Sequence, residues 1–220
     1  MAESHRAKEI FFVDPDRRGV IPINNFHVPK KLKRIIRKKK FTITYDTAFQ
    51  SVLNGCALTG KKNRRDTWIN DKIKELYIAL LEKGFCHSVE VWLENRLVGG
   101  LYGVALGAAF FGESMFSEVS NASKVALVYL VAKLKSDGFI LLDTQFNTEH
   151  LMQFGAIEID RKEYQTQLHA ALSIKGHFNS SSEGLDWIDN FLQSNTQTLH
   201  HTIHAHVYVV PMGYALMEYS

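Results

Sequence analysis

The sequence predicts an α/β fold, a mixed sheet flanked by helices. Three observations carry it. Residues 86–117 hold three strand-like runs, "CHSVEVWLE", "RLVGGLYGVALG" and "AAFFGESMF", separated by short turn signals, the pattern of an antiparallel meander. A long helical stretch, 122–136, then leads into "FILLD", a short continuously apolar run typical of a strand covered on both faces. After it come a short helix, a strand and another helix, so helices and strands alternate to residue 172.

The elements follow in order. "VDPDRRGVIP" is rich in turn residues, with a short strand near Val20. "PKKLKRIIRKKK" places Leu32, Ile35 and Ile36 at helical spacing, with Pro29 as a first helical residue. "FTITY" alternates as a strand, and Asp46 is expected to cap a helix carrying Phe49, Val52 and Leu53. "ALTGKKNRRD" is a polar loop. In "TWINDKIKELYIALLEKGF", Ile69, Ile73, Leu76, Tyr77, Leu80 and Leu81 share one helical face, and Gly84 ends it. Glu94-Asn95 turns the first hairpin of the meander. Gly99, Gly100 and Gly103 permit close backbone approach. Asn121 is expected to cap the helix 122–136, closed by Asp137-Gly138. "TEHLMQF" is a short helix, "AIEID" a strand and "RKEYQTQLHAAL" a helix. "SIKGHFNSSSEG" is a linker. The tail beyond it holds one amphipathic helix, with Trp187, Ile188, Phe191 and Leu192, and a candidate strand "HAHVYVV". The organisation expected is a short N-terminal segment, 1–40, a main domain, 41–172, and a linker with tail, 173–220.

With 220 residues, 45% hydrophobic and 22% charged, the chain has material for one core of ordinary globular composition. It holds no apolar run long enough for a bilayer, and its first residues resemble neither a signal nor a transit peptide. Cys56 and Cys86 lack a partner pattern and suit a reducing cytoplasm as plain buried thiols.

Charge is unevenly placed. The net charge is +3, yet Lys30, Lys31, Lys33, Arg34, Arg37, Lys38, Lys39 and Lys40 crowd one segment without an acid, leaving a balance of −5 elsewhere. Such a segment either tracks a nucleic-acid backbone or is a solvated helix face. Its three apolar residues and lack of Trp make a membrane-surface helix the weaker reading. "HHTIHAH" spaces His200 and His204 as helical zinc ligands are spaced, but no HExxH glutamate or Cys joins them, which favours a surface polar run and no metal site. "GAAFFG" lacks the glycine pattern of a dinucleotide site. Glu113 in "FFGESMF" is a carboxylate in an apolar setting, costly unless paired. Asp143 and Gln145 in "LLDTQ" end an apolar strand and, two apart, are expected on one face. These two residues either start a helix after a buried strand or converge with Glu113 on one apolar cleft.

Longer motifs sharpen this. "TWI", "HSVEVW", "LVGGLYGV", "FGESMFS", "NASKVAL", "LLDTQ" and "FGAIEIDR" stand in the order seen in leucyl/phenylalanyl-tRNA–protein transferases, and the chain resembles that family over roughly residues 11–170. The resemblance implies an acetyltransferase-like (GNAT-like) main domain. It also implies transfer of Leu or Phe, with Met a further candidate, from aminoacyl-tRNA to the N-terminal Arg or Lys of proteins, marking them for N-end rule degradation. Because the aminoacyl ester is already activated, no cofactor and no metal are implied. The implied protein acts in the cytoplasm, as a monomer, away from membranes. Asp143 and Gln145 match the family's catalytic pair and Glu113 its active-site glutamate. Trp68 falls on its substrate-site tryptophan. Leu101, Phe110, Leu130, Leu134 and Leu142 fall on positions lining the pocket for the transferred side chain, and Met115 is grouped with them. The basic residues 30–40 overlie the family's tRNA-binding cluster. The chain departs from the family in several places. The resemblance is to a member without most of the usual small N-terminal domain, whose Trp-Trp-Ser-Pro-Asp-like end reads Phe11-Phe12-Val13-Asp14-Pro15 here. Leu130 and Leu134 replace residues that are often Phe. A tail beyond about residue 173 has no match. The competing class is a non-catalytic tRNA- or RNA-binding module on the same fold. Acetyl transfer is disfavoured by the lack of an acetyl-CoA pyrophosphate loop.

Overall fold

The computed structural model describes residues 14–58, 68–179 and 186–201, with the side chains of the last stretch over 188–195. The meander forms as its strand-like runs and turn signals predict: β3 (Cys86–Leu93), β4 (Arg96–Leu106) and β5 (Ala109–Ser117) pair antiparallel. Glu94 and Asn95 both take positive φ, as a tight two-residue hairpin requires. Helix α4 (Ala122–Ser136) then crosses over, and β6 (Leu141–Gln145) returns parallel to β5. β1 (Arg17–Ile21) lies between β6 and β7 (Ile157–Asp160), antiparallel to both, and β2 (Thr42–Tyr45) adds to the far edge beside β3. The seven strands run in the order β2-β3-β4-β5-β6-β1-β7. The sheet is therefore mixed, and the α/β class is the one expected.

Alternation along β6 builds both faces. Leu142 packs into the main core with Val125, Leu130 and Leu134 of α4. Leu141 packs on the other face with Tyr164 and Ala171 of α6 (Arg161–Leu172), which follows the one-turn helix α5 (Glu149–Met152) and β7. A third cluster joins α2 (Phe49–Leu58) and α3 (Asp71–Glu82) to Tyr102 and Phe116. Gly99 allows α4 to seat, since a Cβ there would lie 2.5 Å from that of Ala122.

The N-terminal segment and the tail share the main core. Helix α1 (Lys30–Arg37) buries Leu32 and Ile36, and α7 (Asp186–His201) adds Ile188, Phe191 and Leu192 to the same cluster. Asn195 ties α7 to the chain before α1. Its Oδ1 accepts from Val28 N–H at 3.1 Å, and its Nδ2 donates to Phe26 O.

Several local expectations are corrected. Asp46 lies three residues ahead of the start of α2. It sits at φ +56°, accepts the Ser88 N–H at 2.7 Å, and pairs with His87 Nδ1 at 2.7 Å. Asn121 is the N-cap residue of α4, as expected, but takes φ +71° and its side chain makes no capping bond; Ser117 Oγ accepts the Ser123 N–H, at 3.2 Å. Pro29 is the N-cap of α1 rather than its first residue. Asn70 caps α3, accepting from Ile73 N–H at 3.0 Å, so that helix starts later than its apolar pattern suggests, and Leu76 is exposed. The "HAHVYVV" strand and the side chains of His200, His201, His204 and His206 lie outside the described residues, as does most of the 57–66 loop.

Candidate active site

The cleft forms where two parallel strands part. β5 and β6 are paired only through Ala109↔Leu141, Phe110↔Leu142 and Phe111↔Asp143. Beyond that point β5 continues beside β4 only, while β6 ends at Gln145, and the gap at the strand C-termini is where α/β sheets hold ligands. Two irregularities shape it. Opposite Tyr102 and Gly103 of β4, β5 carries an extra residue, Glu113, between Gly112 and Ser114. Opposite Gly19 and Val20 of β1, β6 carries an extra residue, Thr144. Bulges re-aim side chains and end pairing; here both flank the opening.

The inner cleft encloses about 230 Å³. Leu101, Met115, Leu127, Leu130 and Leu142 give it apolar walls, and Glu113, Gln145, Thr148 and His150 give it polar points. An adjoining outer cleft of about 400 Å³ shares Glu113, Thr144 and Gln145 and is walled by Trp68, Tyr77, Phe111, Phe146 and Arg18. Few polar groups in an apolar hollow is the usual composition of a small-ligand site. Burial raises the Glu113 carboxyl above its ordinary range, the Tyr77 hydroxyl bonded to it opposes that rise, and the nearby Asp143 charge adds to it. Burial, with Glu113 beside it, pushes the Tyr77 phenol far up, so that hydroxyl stays a donor. Burial, together with Lys124, lowers His150 from its ordinary value, which keeps its ring neutral at neutral pH.

The expected residues divide into three groups. Glu113, Gln145, Leu101, Met115, Leu130 and Leu142 meet in the inner cleft, and Trp68 stands in the outer one. Phe110 and Leu134 line neither. Both are fully buried in the core, Phe110 against Phe139 and Phe178, because they lie below the level at which β5 and β6 separate. Asp143 does not share Gln145's surroundings, contrary to the alternation expected. It is 0% exposed and faces Arg18 and Tyr164. Gln145 has φ +58°, and Phe146 N–H donates back to Thr144 O at 2.6 Å across it. This tight three-residue turn is strained for a non-glycine residue, on the order of 1–3 kcal/mol, and breaks the two-residue period. Arg18, Tyr77, Leu127 and His150 were missed: Tyr77 and Leu127 look like ordinary core residues of helices, and nothing in the sequence sets Arg18 apart from the adjacent Arg17.

Of the basic segment, Lys30, Lys31, Arg34, Arg37, Lys38, Lys39 and Lys40 are exposed. Lys33 is not. It is 8% exposed and its Nζ donates to Leu192 O of α7 at 3.4 Å, so it faces the tail helix rather than solvent. Among the described residues no cluster of His, Cys, Asp and Glu is arranged to hold a metal, and no helix is long and apolar enough to cross a membrane. Cys56 and Cys86 are free and buried, and burial pushes the Cys56 thiol up to about 12.

A mixed sheet that opens between parallel strands onto an apolar cleft with a carboxylate, an amide and an aromatic wall has the composition of a small-ligand site. Comparison with known proteins makes it particular. Residues 20–169 match the family described as Leucyl/phenylalanyl-tRNA protein transferase. A leucyl/phenylalanyl-tRNA–protein transferase of Nitrobacter winogradskyi is 56% identical over 180 residues, 82% of this chain and 80% of that one. One from Caulobacter vibrioides is 51% identical over 189 residues, 86% and 87% of the two chains. The chain belongs to the leucyl/phenylalanyl-tRNA–protein transferase family and is an aminoacyltransferase. Among solved structures, L-PGS from Bacillus licheniformis overlaps it with a TM-score of 0.46 at 9% identity, over 71% of this chain and 65% of that one. An aminoglycoside acetyltransferase from a soil metagenome, in complex with sisomicin, overlaps with a TM-score of 0.31 at 16% identity, over 82% and 99%.

Proposed function

We propose that this enzyme transfers Leu and Phe, and Met as a further substrate, from aminoacyl-tRNA to the N-terminal Arg or Lys of proteins, in the cytoplasm, marking them for N-end rule degradation. The observation that carries this reading is the inner cleft: six aliphatic side chains, Leu151 among them, around Glu113 and Gln145, sized for one large apolar side chain. The aminoacyl side chain fills the inner cleft, and its ester carbonyl lies beside Gln145. The outer cleft, with Trp68 and Phe146 at its mouth, receives the tRNA 3′ end and the acceptor peptide.

The chemistry is aminolysis of an ester. The acceptor's α-amine, with an ordinary pKa of about 7.7–8.0, attacks the ester carbonyl carbon in its neutral form. A tetrahedral centre forms, the bond to the ribose oxygen breaks, a peptide bond is left, and the proton lost by nitrogen is balanced by one gained by the departing oxygen. Gln145 is no strong base. Its amide oxygen accepts a hydrogen bond from the amine and points the lone pair at the carbonyl. Glu113, held by Tyr77, anchors the amino group of the transferred residue. The exposed cations of α1 hold the tRNA backbone.

The test is transfer itself. Charged tRNAs bearing labelled Leu or Phe are mixed with the enzyme and a protein bearing N-terminal Arg. Label is expected in protein from both donors, because an apolar pocket separates such side chains by only about 1–3 kcal/mol. tRNA binding without transfer would make the chain a binding module instead.

A further inference from the structure

The surroundings of Asp143 say how Gln145 is held. Asp143 is fully buried, yet its two carboxylate oxygens receive three residues. Arg18 Nε lies 3.0 Å from Oδ1 and 3.1 Å from Oδ2, and Arg18 Nη2 donates to Oδ2 at 2.7 Å. The Tyr164 hydroxyl donates to Oδ2 at 2.7 Å. The Gln145 backbone N–H donates to Oδ1 at 2.8 Å. The Arg18 guanidinium also stacks over the Tyr164 ring, 4.8 Å from its centroid, closing a triangle. A carboxylate offers about four acceptor sites, and here they are taken. The carboxylate is fully buried and lines neither cleft.

We propose that Arg18 and Tyr164 are positioning residues for the transfer reaction: they clamp Asp143, and the clamped carboxylate holds the Gln145 backbone in its left-handed turn, so that the Gln145 side chain enters the cleft. Asp143 acts through Gln145 and takes no proton from the amine. The forked, charge-assisted Arg18–Asp143 contact fixes carboxylate orientation in a way a lysine ammonium does not. Tyr164 reaches the carboxylate from α6, on the face of β6 away from the inner cleft, and lines neither cleft. Gly19 completes the arrangement: a Cβ there would lie 2.6 Å from the Phe146 carbonyl carbon, so β1 and the turn after Gln145 fit only with glycine. This inference rests on the aminoacyl-transfer reading of the cleft.

Tyr164→Phe is the test, since it removes one hydroxyl and keeps the ring under Arg18. Transfer is measured in the wild type, Tyr164→Phe, Gln145→Ala and the double variant, with amide hydrogen exchange at Gln145 in wild type and Tyr164→Phe. The expected result is a fall of about tenfold in kcat with KM for aminoacyl-tRNA unchanged, as for a small misplacement of a reacting group. Gln145→Ala should abolish that effect, leaving the double variant no slower than Gln145→Ala alone, and the Gln145 amide should exchange faster without the hydroxyl. Equal losses in both backgrounds, or unchanged exchange at Gln145, overturn the proposal. If the wild type transfers no label, the transfer reading falls, and the exchange measurement still decides whether Tyr164 holds the turn.

Discussion

Glu113 shows what a single residue reveals from sequence and what it conceals. A carboxylate between Phe110, Phe111, Met115 and Phe116 is conspicuous because burial without a partner is costly. The partner, Tyr77, comes from a helix more than thirty residues earlier, and the bulge that turns Glu113 into the cleft depends on the register of β4. The raised carboxyl has a consequence for stability. A folded pKa above the unfolded value of about 4.3 gives a contribution that is complete below that value and lost as pH rises through the folded pKa. Glu113→Gln, always neutral, should therefore gain stability relative to wild type between about pH 4 and about pH 7. Urea unfolding at the two pH values checks this; a difference that stays constant would contradict it.

At the scale of elements, α1 separates two uses of basic side chains. Leu32 and Ile36 face the core, and Lys33 between them is carried down toward α7. The exposed cations are the ones available to phosphates. Replacing Lys38, Lys39 and Lys40 with Ser should weaken tRNA binding and flatten the slope of log K against log salt by about 2 to 3. Lys33→Met should leave that slope as it is. A salt titration measures both, and an unchanged slope in the triple variant would make α1 a solvated face. Helix starts were the least legible feature at this scale. Asp46 and Asn121 look like side-chain caps because Asp and Asn serve that role, but the same residue types tolerate the left-handed conformation found at both positions. Local chemistry alone does not separate the two uses.

For the whole molecule, the tail helix closes the core. Phe191 is buried beside Phe26, with ring centroids 6.2 Å apart, and α7 lies over α1 and α4. The seam joins the chain's early residues to its late ones through Asn195 and Lys33. Phe191→Ala should cost about 3–5 kcal/mol, as buried aromatic truncations do. A denaturant titration reads it; a loss below about 1 kcal/mol would mean that α7 is peripheral to the core.

By itself the sequence determined the mixed α/β class, the meander, the crossover helix and the covered strand β6, because periodicity and turn chemistry are local. Its longer motifs also determined the family and marked Glu113, Gln145 and most of the pocket wall. Tertiary structure alone decided that Phe110 and Leu134 lie below the cleft, that Asp143 faces away from it, and that Arg18 and Tyr164 grip Asp143. Those facts depend on where β5 and β6 part and on one left-handed residue at the strand end. Both are set by contacts between segments far apart in the chain, which no local pattern encodes.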